Sequence, residues 1–271
     1  MVADDIFGSE DKKFKLETNR EGMAPYWTAE DAPEFIKRTG TKYYRSPLKK
    51  VLDERGLENR LLNNLVKHLP KGAFIAGGFI TSILQGDKNA SDIDMFFTDG
   101  DAFANTMDLL LDLSPKGDGE AAEGLDDDDR PWAWEGYEMT GDPKKLSYGT
   151  LRYVKFEHPK RPPIQLIKLV WYEDAEHVID TFDLTIAQFA ATGNHETAGA
   201  ELVFNPLGLF DLVRKRIVLH RMQFGASTLR RLIKYSKKGY WACPGAMVKI
   251  CEAIPTAPLG VEKDGGLFYI D

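Results

Sequence analysis

Two aspartates one residue apart, Asp92 and Asp94, are the side chains of this sequence best suited to chemistry. They stand at the start of an apolar run. Alternate side chains of a β-strand point to the same face, so a strand here projects both carboxylates together and buries Ile93 and Met95. Adjacent carboxylates repel each other unless a cation lies between them, and Mg²⁺ is commonly bound by carboxylates and substrate phosphates. We therefore predict a divalent-metal site, for Mg²⁺ or Mn²⁺, at Asp92 and Asp94.

A glycine pair, Gly77-Gly78, precedes Asp92 by fourteen residues. Glycines before a helix allow backbone amides to approach phosphates closely. Thr81 and Ser82 follow in the predicted helix, where their hydroxyls either bind the nucleotide or are ordinary polar helix residues. The glycines and the aspartates together predict a metal–nucleotide site for a nucleoside triphosphate.

The elements that must position this site follow one another along the chain. Residues 73–76 and 91–98 predict strands, and residues 79–84 and 102–113 predict helices. Strand and helix in alternation are typical of an α/β domain. Upstream, apolar residues at helical spacing between 46 and 69 predict a helix, either continuous or split at Gly56, with Ser46 as its N-cap and Pro47 in its first turn.

The downstream half carries weaker patterns. Residues 114–149 are rich in Gly, Asp and Pro and predict a long loop, whose Trp132, Trp134 and Tyr137 either stack on a base or, as we favour, pin the loop to the core. Residues 151–157 and 164–171 predict strands joined by a connection too long for a tight turn. Residues 180–191 predict a helix, and the chain beyond about 205 is predicted to be mostly helical.

The segment 72–97 resembles the nucleotidyltransferase superfamily, which includes DNA polymerase beta, poly(A) polymerases and CCA-adding enzymes. An apolar residue and two glycines followed by Asp-x-Asp on a strand are its signature, and Ala76-Gly77-Gly78 and Asp92-Ile93-Asp94 match it. The local motif is most similar to that of CCA-adding enzymes and of virus- and phage-encoded relatives. The resemblance implies an α/β nucleotidyltransferase core, a mixed sheet flanked by helices, and transfer of a nucleoside monophosphate from a nucleoside triphosphate to an acceptor hydroxyl.

The same resemblance implies a third carboxylate on a later strand. The strand predicted at the matching position carries Gln165, which is a neutral ligand at best. Glu157, Asp180 and Asp183 are the other candidates, and the third carboxylate is absent if none of them serves. Asp183 either caps the predicted helix, which we favour, or binds metal.

The stretch 214–238 contains nine Lys or Arg and no acidic residue, although the whole chain has a net charge of −7. A helix over 227–238 would bury Leu229, Leu232, Ile233 and Ser236 and expose its cations. These cations are a solvated face or a track for nucleic-acid phosphates, and the absence of acids favours the track. The predicted nucleic-acid contacts are Arg230, Arg231, Lys234, Lys237 and Lys238.

Composition places few further limits on function. The chain has 271 residues, and it lacks a run of about 18 apolar residues. We therefore expect a soluble cytoplasmic protein with no membrane partner. Cys243 and Cys251 have no Cys or His at metal-ligand spacing, so we expect reduced core thiols.

The predicted organisation is an N-terminal arm at 1–45, a nucleotidyltransferase core at 46–195 and a helical region at 196–271. An RNA 3′ end is the favoured acceptor, ahead of a protein or a small molecule. The alternative function is a catalytically inactive binding or structural protein on the same fold.

Overall fold

The structure is a computed structural model that describes Pro25 and residues 37–87, 91–114, 130–140, 152–194, 199–222 and 225–253. Most of the N-terminal arm and most of the 114–149 segment lie outside these residues.

An eight-stranded mixed sheet organises the described chain. Its strands, in chain order, are β1 (Tyr44–Pro47), β2 (Ala73–Ala76), β3 (Ile93–Phe97), β4 (Glu138–Thr140), β5 (Tyr153–His158), β6 (Arg161–Ile167), β7 (Phe189–Asn194) and β8 (Gly199–Phe204). In space they are ordered β1-β8-β7-β2-β3-β6-β5-β4, and only the central β3–β6 pair is parallel. A separate pair joins β9 (Arg216–Ile217) to β10 (Trp241–Ala242).

Helices cover the two faces of this sheet unequally. They are α1 (Leu48–Glu54), α2 (Arg60–Lys67), α3 (Gly78–Leu84), α4 (Gly100–Asp112), α5 (Ala175–Asp180), α6 (Pro206–Val213), α7 (Gly225–Lys237) and α8 (Pro244–Ala253), with 3₁₀ turns at Trp132–Trp134 and Thr185–Ala187. The main core holds α1 to α4 and the sheet face of Ile75, Ile93 and Met95. A smaller core packs α5 against the opposite face, on β2, β7 and β8. Over β5 and β6 that second face is more open, as the 44% exposure of Tyr153 shows.

The strand–helix–strand–helix prediction around the aspartates is confirmed by β2, α3, β3 and α4. The helix predicted over 46–69 is split, because Gly56 adopts a positive φ of 64° between α1 and α2. Ser46 was wrong as its cap, since Ser46 lies in β1 and pairs with Leu202 of β8. The N-cap that does form is Asn59, whose side chain accepts a hydrogen bond from the amide of Leu62 at the start of α2.

The helix predicted over 180–191 is wrong. α5 ends at Asp180, and its N-cap is Asp174, which accepts from the amide of His177 at 2.8 Å. The last three residues of the predicted helix lie in strand β7, where Ala190 and Ala191 pair with β2 in the centre of the sheet. Pairing on both edges of β7 overrides the helical preference of an alanine-rich segment.

Three further predictions needed correction. The connection between β5 and β6 is short, because His158 pairs with Arg161 and only Pro159 and Lys160 lie between them. The 114–149 segment contains the strand β4 as well as loop. Its aromatic residues pack as we favoured, with Trp134 and Tyr137 fully buried. Cys243 and Cys251 are exposed and therefore are not core thiols.

The predicted domain limits at 45/46 and 195/196 stay predictions. The sheet itself crosses both positions, since β1 begins at Tyr44 and β8 occupies Gly199–Phe204. The described residues beyond β8, 205–222 and 225–253, are mostly helical, as predicted, and hold α6, α7 and α8. No described helix is long and apolar enough to cross a membrane.

Candidate functional site

The two aspartates lie at one end of the central strand β3. Ile93 and Met95 are fully buried, whereas Asp92 and Asp94 are half-buried, which is the alternation that the spacing predicts. Asp94 pairs with Ala76, the last residue of β2, so the carboxylate lies beside the strand that leads into Gly77. The sheet therefore brings the glycine pair and the aspartates to the same end of neighbouring strands.

Gly77 and Gly78 form the turn from β2 into α3. Gly77 has a φ of 86°, which is in the left-handed region, and its amide donates to the carbonyl oxygen of Phe189 at 2.9 Å. Glycine is the residue that adopts this conformation without strain. Gly78 lies against Ser91, the residue immediately before Asp92. The turn therefore sets how closely the backbone at Gly77 and Gly78 approaches the two aspartates.

We predict that Gly78→Ala displaces Asp92 and destabilises the fold. A methyl group at Gly78 would lie 2.8 Å from Ser91 Oγ, an atom buried from solvent that has no hydrogen-bond partner in the described part of the chain. Overpacking of this kind costs about 1–3 kcal/mol. Thermal unfolding of Gly78→Ala, compared with the double variant Gly78→Ala/Ser91→Ala, tests the contact. The double variant removes the clashing oxygen and regains the lost stability; a double variant no more stable than the single one would contradict this account.

Thr81 and Ser82 are both buried in α3. The Thr81 hydroxyl lies 2.8 Å from the carbonyl oxygen of Ile186 and 3.1 Å from that of Gly77, so it ties α3 to the 3₁₀ turn Thr185–Ala187. These contacts of the buried Thr81 hydroxyl stabilise the turn at Gly77.

Gln165 occupies the strand position next to Asp94. The parallel pairing of β3 with β6 sets Asp94 opposite Gln165, and the Gln165 side-chain amide donates a hydrogen bond to Oδ2 of Asp92. Gln165 thus contacts the aspartate pair from the strand where the resemblance places a third carboxylate. The side-chain oxygen of Gln165 is an uncharged ligand of the kind that hard divalent cations bind.

Lys155 extends the same row on β5, where it pairs with Gln165. Its ammonium forms an ion pair with Glu157 at 2.9 Å, and this hydrogen bond, together with the charges of Glu157 and Asp92, raises the pKa of Lys155. Sequence reasoning missed Lys155. The pairing of β5 with β6 would have placed Lys155 beside Gln165. We missed this pairing because we predicted the start of β6 three residues too late.

The remaining candidates for a third carboxylate are engaged elsewhere. Glu157 is exposed and bound to Lys155. Asp180 accepts hydrogen bonds from Thr39 and Tyr43. Asp183 is buried, and its Oδ2 accepts from Thr228 at 2.8 Å and from Arg231 at 2.7 Å. Among the described residues no group of three Asp, Glu, His or Cys side chains is arranged to hold a metal ion.

The basic helix α7 is rotated relative to our prediction. Its buried residues include Thr228, Leu232 and Tyr235, whereas Ile233 is 46% exposed and Ser236 is exposed. The rotation turns Arg231 inward. Burial lowers the pKa of Arg231, but the charge and hydrogen bond of the Asp183 carboxylate, with smaller contributions from Tyr235 and Asp94, raise it overall. Arg231 therefore adds positive charge to the side of the site formed by α7.

Of the other four predicted contacts, one lies just beyond the end of α7 and three lie on the exposed side of the helix. Lys238 binds Asp87 at 3.0 Å, on the connection that leads from α3 towards the aspartates. Arg230, Lys234 and Lys237 are exposed. The structure therefore divides the five predicted contacts into two that join α7 to the core and three that face solvent.

The residues present fit one divalent cation. Asp92 and Asp94 supply two carboxylates, Gln165 supplies an amide oxygen, and a triphosphate would complete the oxygen ligands that Mg²⁺ or Mn²⁺ prefers. Two-metal sites, in which a carboxylate bridges ions about 3.5–4 Å apart, usually have more negative charge than these two aspartates provide.

Comparison with known proteins gives one family and one fold. A model of the Gabija anti-defense 2 family matches residues 41–221, well over half of the chain. A search of the curated proteins found no match. A CCA-adding enzyme of Thermotoga maritima, solved with tRNA, is 18% identical, with a TM-score of 0.51 over 78% of this chain and 46% of the enzyme. A CCA-adding enzyme solved with CTP is 17% identical, with a TM-score of 0.50 over 78% of this chain and 45% of the enzyme.

These similarities confirm the nucleotidyltransferase resemblance and the α/β fold class. At such low identity they establish the fold alone. The chain also spans less than half of each of these solved enzymes.

Proposed function

Because this chain belongs to the Gabija anti-defense 2 family, we propose that it counteracts the Gabija defence system by transferring a nucleoside monophosphate from a nucleoside triphosphate to an acceptor hydroxyl. The observation that carries the proposal is the register of the central strands. Asp94 pairs with Ala76 on one side and Gln165 on the other, so the glycine turn and the aspartates meet at one end of the sheet.

In this proposal each residue of the site has a defined role. Asp92 and Asp94 hold Mg²⁺ or Mn²⁺, and the backbone at Gly77 and Gly78 faces the outer phosphates. When bound, the ion lowers the pKa of the acceptor hydroxyl and neutralises charge on the phosphates. Gln165 holds Asp92 in place through its side-chain amide. Localisation in the cytoplasm, where nucleoside triphosphates are available, remains part of the proposal.

Asp183 acts through Arg231 in this proposal rather than as a metal ligand. The two donors on its Oδ2 fix the guanidinium on the inner side of α7, where its charge acts on Asp94. A guanidinium so placed binds phosphate oxygens of the nucleotide. The capping role that we favoured for Asp183 has no helix to act on, because α5 ends at Asp180 and its N-cap is Asp174.

An RNA 3′ end is the proposed acceptor, ahead of a protein or a small molecule. The exposed residues Lys234 and Lys237 lie on the same helix as Arg231. An RNA strand that crosses α7 would therefore reach the aspartates while its phosphates contact these cations.

Reversing these two charges tests the RNA track. We expect Lys234→Glu/Lys237→Glu to weaken RNA binding at least tenfold and to lower the slope of log affinity against log salt by about 2, one unit for each lost phosphate contact. The matched control is Lys49→Glu/Lys71→Glu, two exposed lysines outside α7. Fluorescence anisotropy with a labelled single-stranded RNA measures both quantities. Equal losses in the two double variants would contradict a specific track.

The proposed transfer is tested directly with labelled substrates. The purified chain is incubated with each α-labelled nucleoside triphosphate, Mg²⁺ or Mn²⁺, and either RNA or the proteins of the Gabija system. We expect label on one acceptor class, RNA first, and none with Asp92→Asn/Asp94→Asn. The wild type and Asp92→Asn/Asp94→Asn are then compared for their ability to relieve Gabija defence in cells.

A non-catalytic binding protein is the second candidate function, and Gln165 in place of a carboxylate favours it. This candidate predicts no labelled acceptor with any nucleotide. It also predicts that Asp92→Asn/Asp94→Asn relieves Gabija defence as well as the wild type does.

A further inference from the structure

The site departs from a two-metal arrangement in one row of side chains that crosses three strands. Asp94 on β3, Gln165 on β6 and Lys155 on β5 are paired in register. Paired residues on neighbouring strands project to the same face about 5 Å apart. The row thus runs from a carboxylate through an amide to an ammonium group.

Charge along this row decides how many divalent ions it can hold. Asp92 and Asp94 supply two negative charges, which balance one divalent ion. Gln165 adds none, and Lys155 adds a positive charge that interacts with Asp92. Glu157 offsets that charge but is turned to Lys155 by a contact of 2.9 Å. A second divalent ion would therefore enter a position without a carboxylate and next to a cation.

Gln165 also restricts the geometry of the aspartate pair. Its amide donates to Oδ2 of Asp92, so this oxygen is already occupied on the side that faces β6. A side chain that holds a metal ligand in this way commonly changes metal affinity about 10–100-fold when it is replaced. Gln165 therefore orients Asp92, and the row as a whole disfavours a second divalent cation beside it.

We propose that Gln165 and Lys155 make this a one-metal site, with the Lys155 ammonium in place of a second divalent ion; this inference rests on the proposed nucleotidyl transfer. Gln165 is a positioning residue that acts through Asp92. Lys155 balances charge beside the aspartates.

Counting bound Mn²⁺ tests the assignment without measuring activity. Electron paramagnetic resonance reports free Mn²⁺ during titration of the full chain. We expect one Mn²⁺ per wild-type chain and its loss in Asp92→Asn/Asp94→Asn. Gln165→Glu restores a carboxylate of the same shape and binds a second Mn²⁺ at least tenfold more tightly than the wild type does.

Lys155→Gln provides a second variant in case Gln165→Glu folds poorly, which circular dichroism would reveal. Removal of the ammonium also strengthens binding of a second Mn²⁺. Its matched control is Lys160→Gln, an exposed lysine in the turn between β5 and β6, for which we expect wild-type binding.

Each outcome separates this inference from the proposed function. Two Mn²⁺ per wild-type chain, both lost in Asp92→Asn/Asp94→Asn, overturn the one-metal site and leave the transferase proposal intact. A folded Gln165→Glu variant that binds one ion like the wild type overturns the role of Gln165. Equal Mn²⁺ binding by the wild type and Asp92→Asn/Asp94→Asn contradicts both proposals.

Discussion

Asp94→Asn is expected to lower nucleotidyl transfer on the order of 10³-fold or more while leaving the protein folded, because a metal ion contributes several kcal/mol of transition-state stabilisation and each 1.36 kcal/mol corresponds to tenfold in rate. Asparagine has nearly the shape of aspartate but lacks the negative charge. Asp94 pairs with Ala76 of β2 and with Gln165 of β6, so neither flanking strand offers a carboxylate at that position to replace it.

The fold should tolerate this substitution. Asp94 is half-buried, and Asp92 lies two residues away on the same face. Removing one of two neighbouring like charges relieves their repulsion. We therefore expect an unfolding temperature equal to or higher than that of the wild type when no metal is present. Thermal unfolding with and without Mg²⁺ and a nucleoside triphosphate distinguishes this from loss of structure, because ligands that bind the native state raise its stability.

Asp53→Asn is the matched control for Asp94→Asn. Asp53 is an exposed aspartate of α1, so the same chemical change there should leave transfer and ligand stabilisation unchanged. Initial rates for the three proteins measure the effect. An Asp94→Asn variant with a rate within a few-fold of the wild type would remove Asp94 from the chemistry.

The sequence predicted the parts of this site that depend on local pattern. Gly77-Gly78 and Asp92-x-Asp94 lie within one β–α–β unit, where strand alternation and helix spacing determine which way each residue faces. Asp94 consequently occupies the predicted end of the predicted strand. The same reasoning correctly predicted the short strand β2 and the helix α4.

The parts that depend on pairing between distant segments were not predictable in this way. Whether Ala190 and Ala191 lie in a helix or a strand is decided by pairing with β2, more than one hundred residues earlier. The rotation of α7 is decided by Asp183, which binds Thr228 and Arg231. Lys155 joins the site only through the register of β5 on β6. Single-residue propensities carry none of these long-range contacts.

Asp180→Ala is expected to cause the largest loss of stability of any single substitution considered for this chain, about 3–5 kcal/mol, because breaking a buried ion pair leaves its partners without compensation. The Asp180 side chain is 3% exposed. One oxygen accepts from the hydroxyls of Thr39 and Tyr43, both at 2.6 Å, and the other lies 3.2 Å from the guanidinium of Arg221. His220 is 3.1 Å from the same carboxylate.

The consequence extends beyond α5, because these partners come from two other segments of the chain. Asp180 joins the residues that precede β1 to the 220–221 segment that precedes α7. At about 2–4 °C per kcal/mol for a protein of this size, the unfolding temperature should fall by roughly 10 °C. Asp53→Ala is the matched control and should leave it nearly unchanged. Equal unfolding temperatures for Asp180→Ala and Asp53→Ala would show that Asp180 does not hold these segments together.

The same carboxylate predicts how stability depends on pH. Burial alone would raise the pKa of Asp180, but the hydrogen bonds from Thr39, Tyr43 and His220 lower it below the ordinary value of 3.8. The stabilisation is therefore fully present above the unfolded-state pKa and is lost as the pH falls through the lower, folded-state pKa. Urea unfolding of the wild type and Asp180→Ala should give a clear difference in free energy at about pH 5. That difference should shrink below about pH 4, since a protonated Asp180 no longer compensates Arg221.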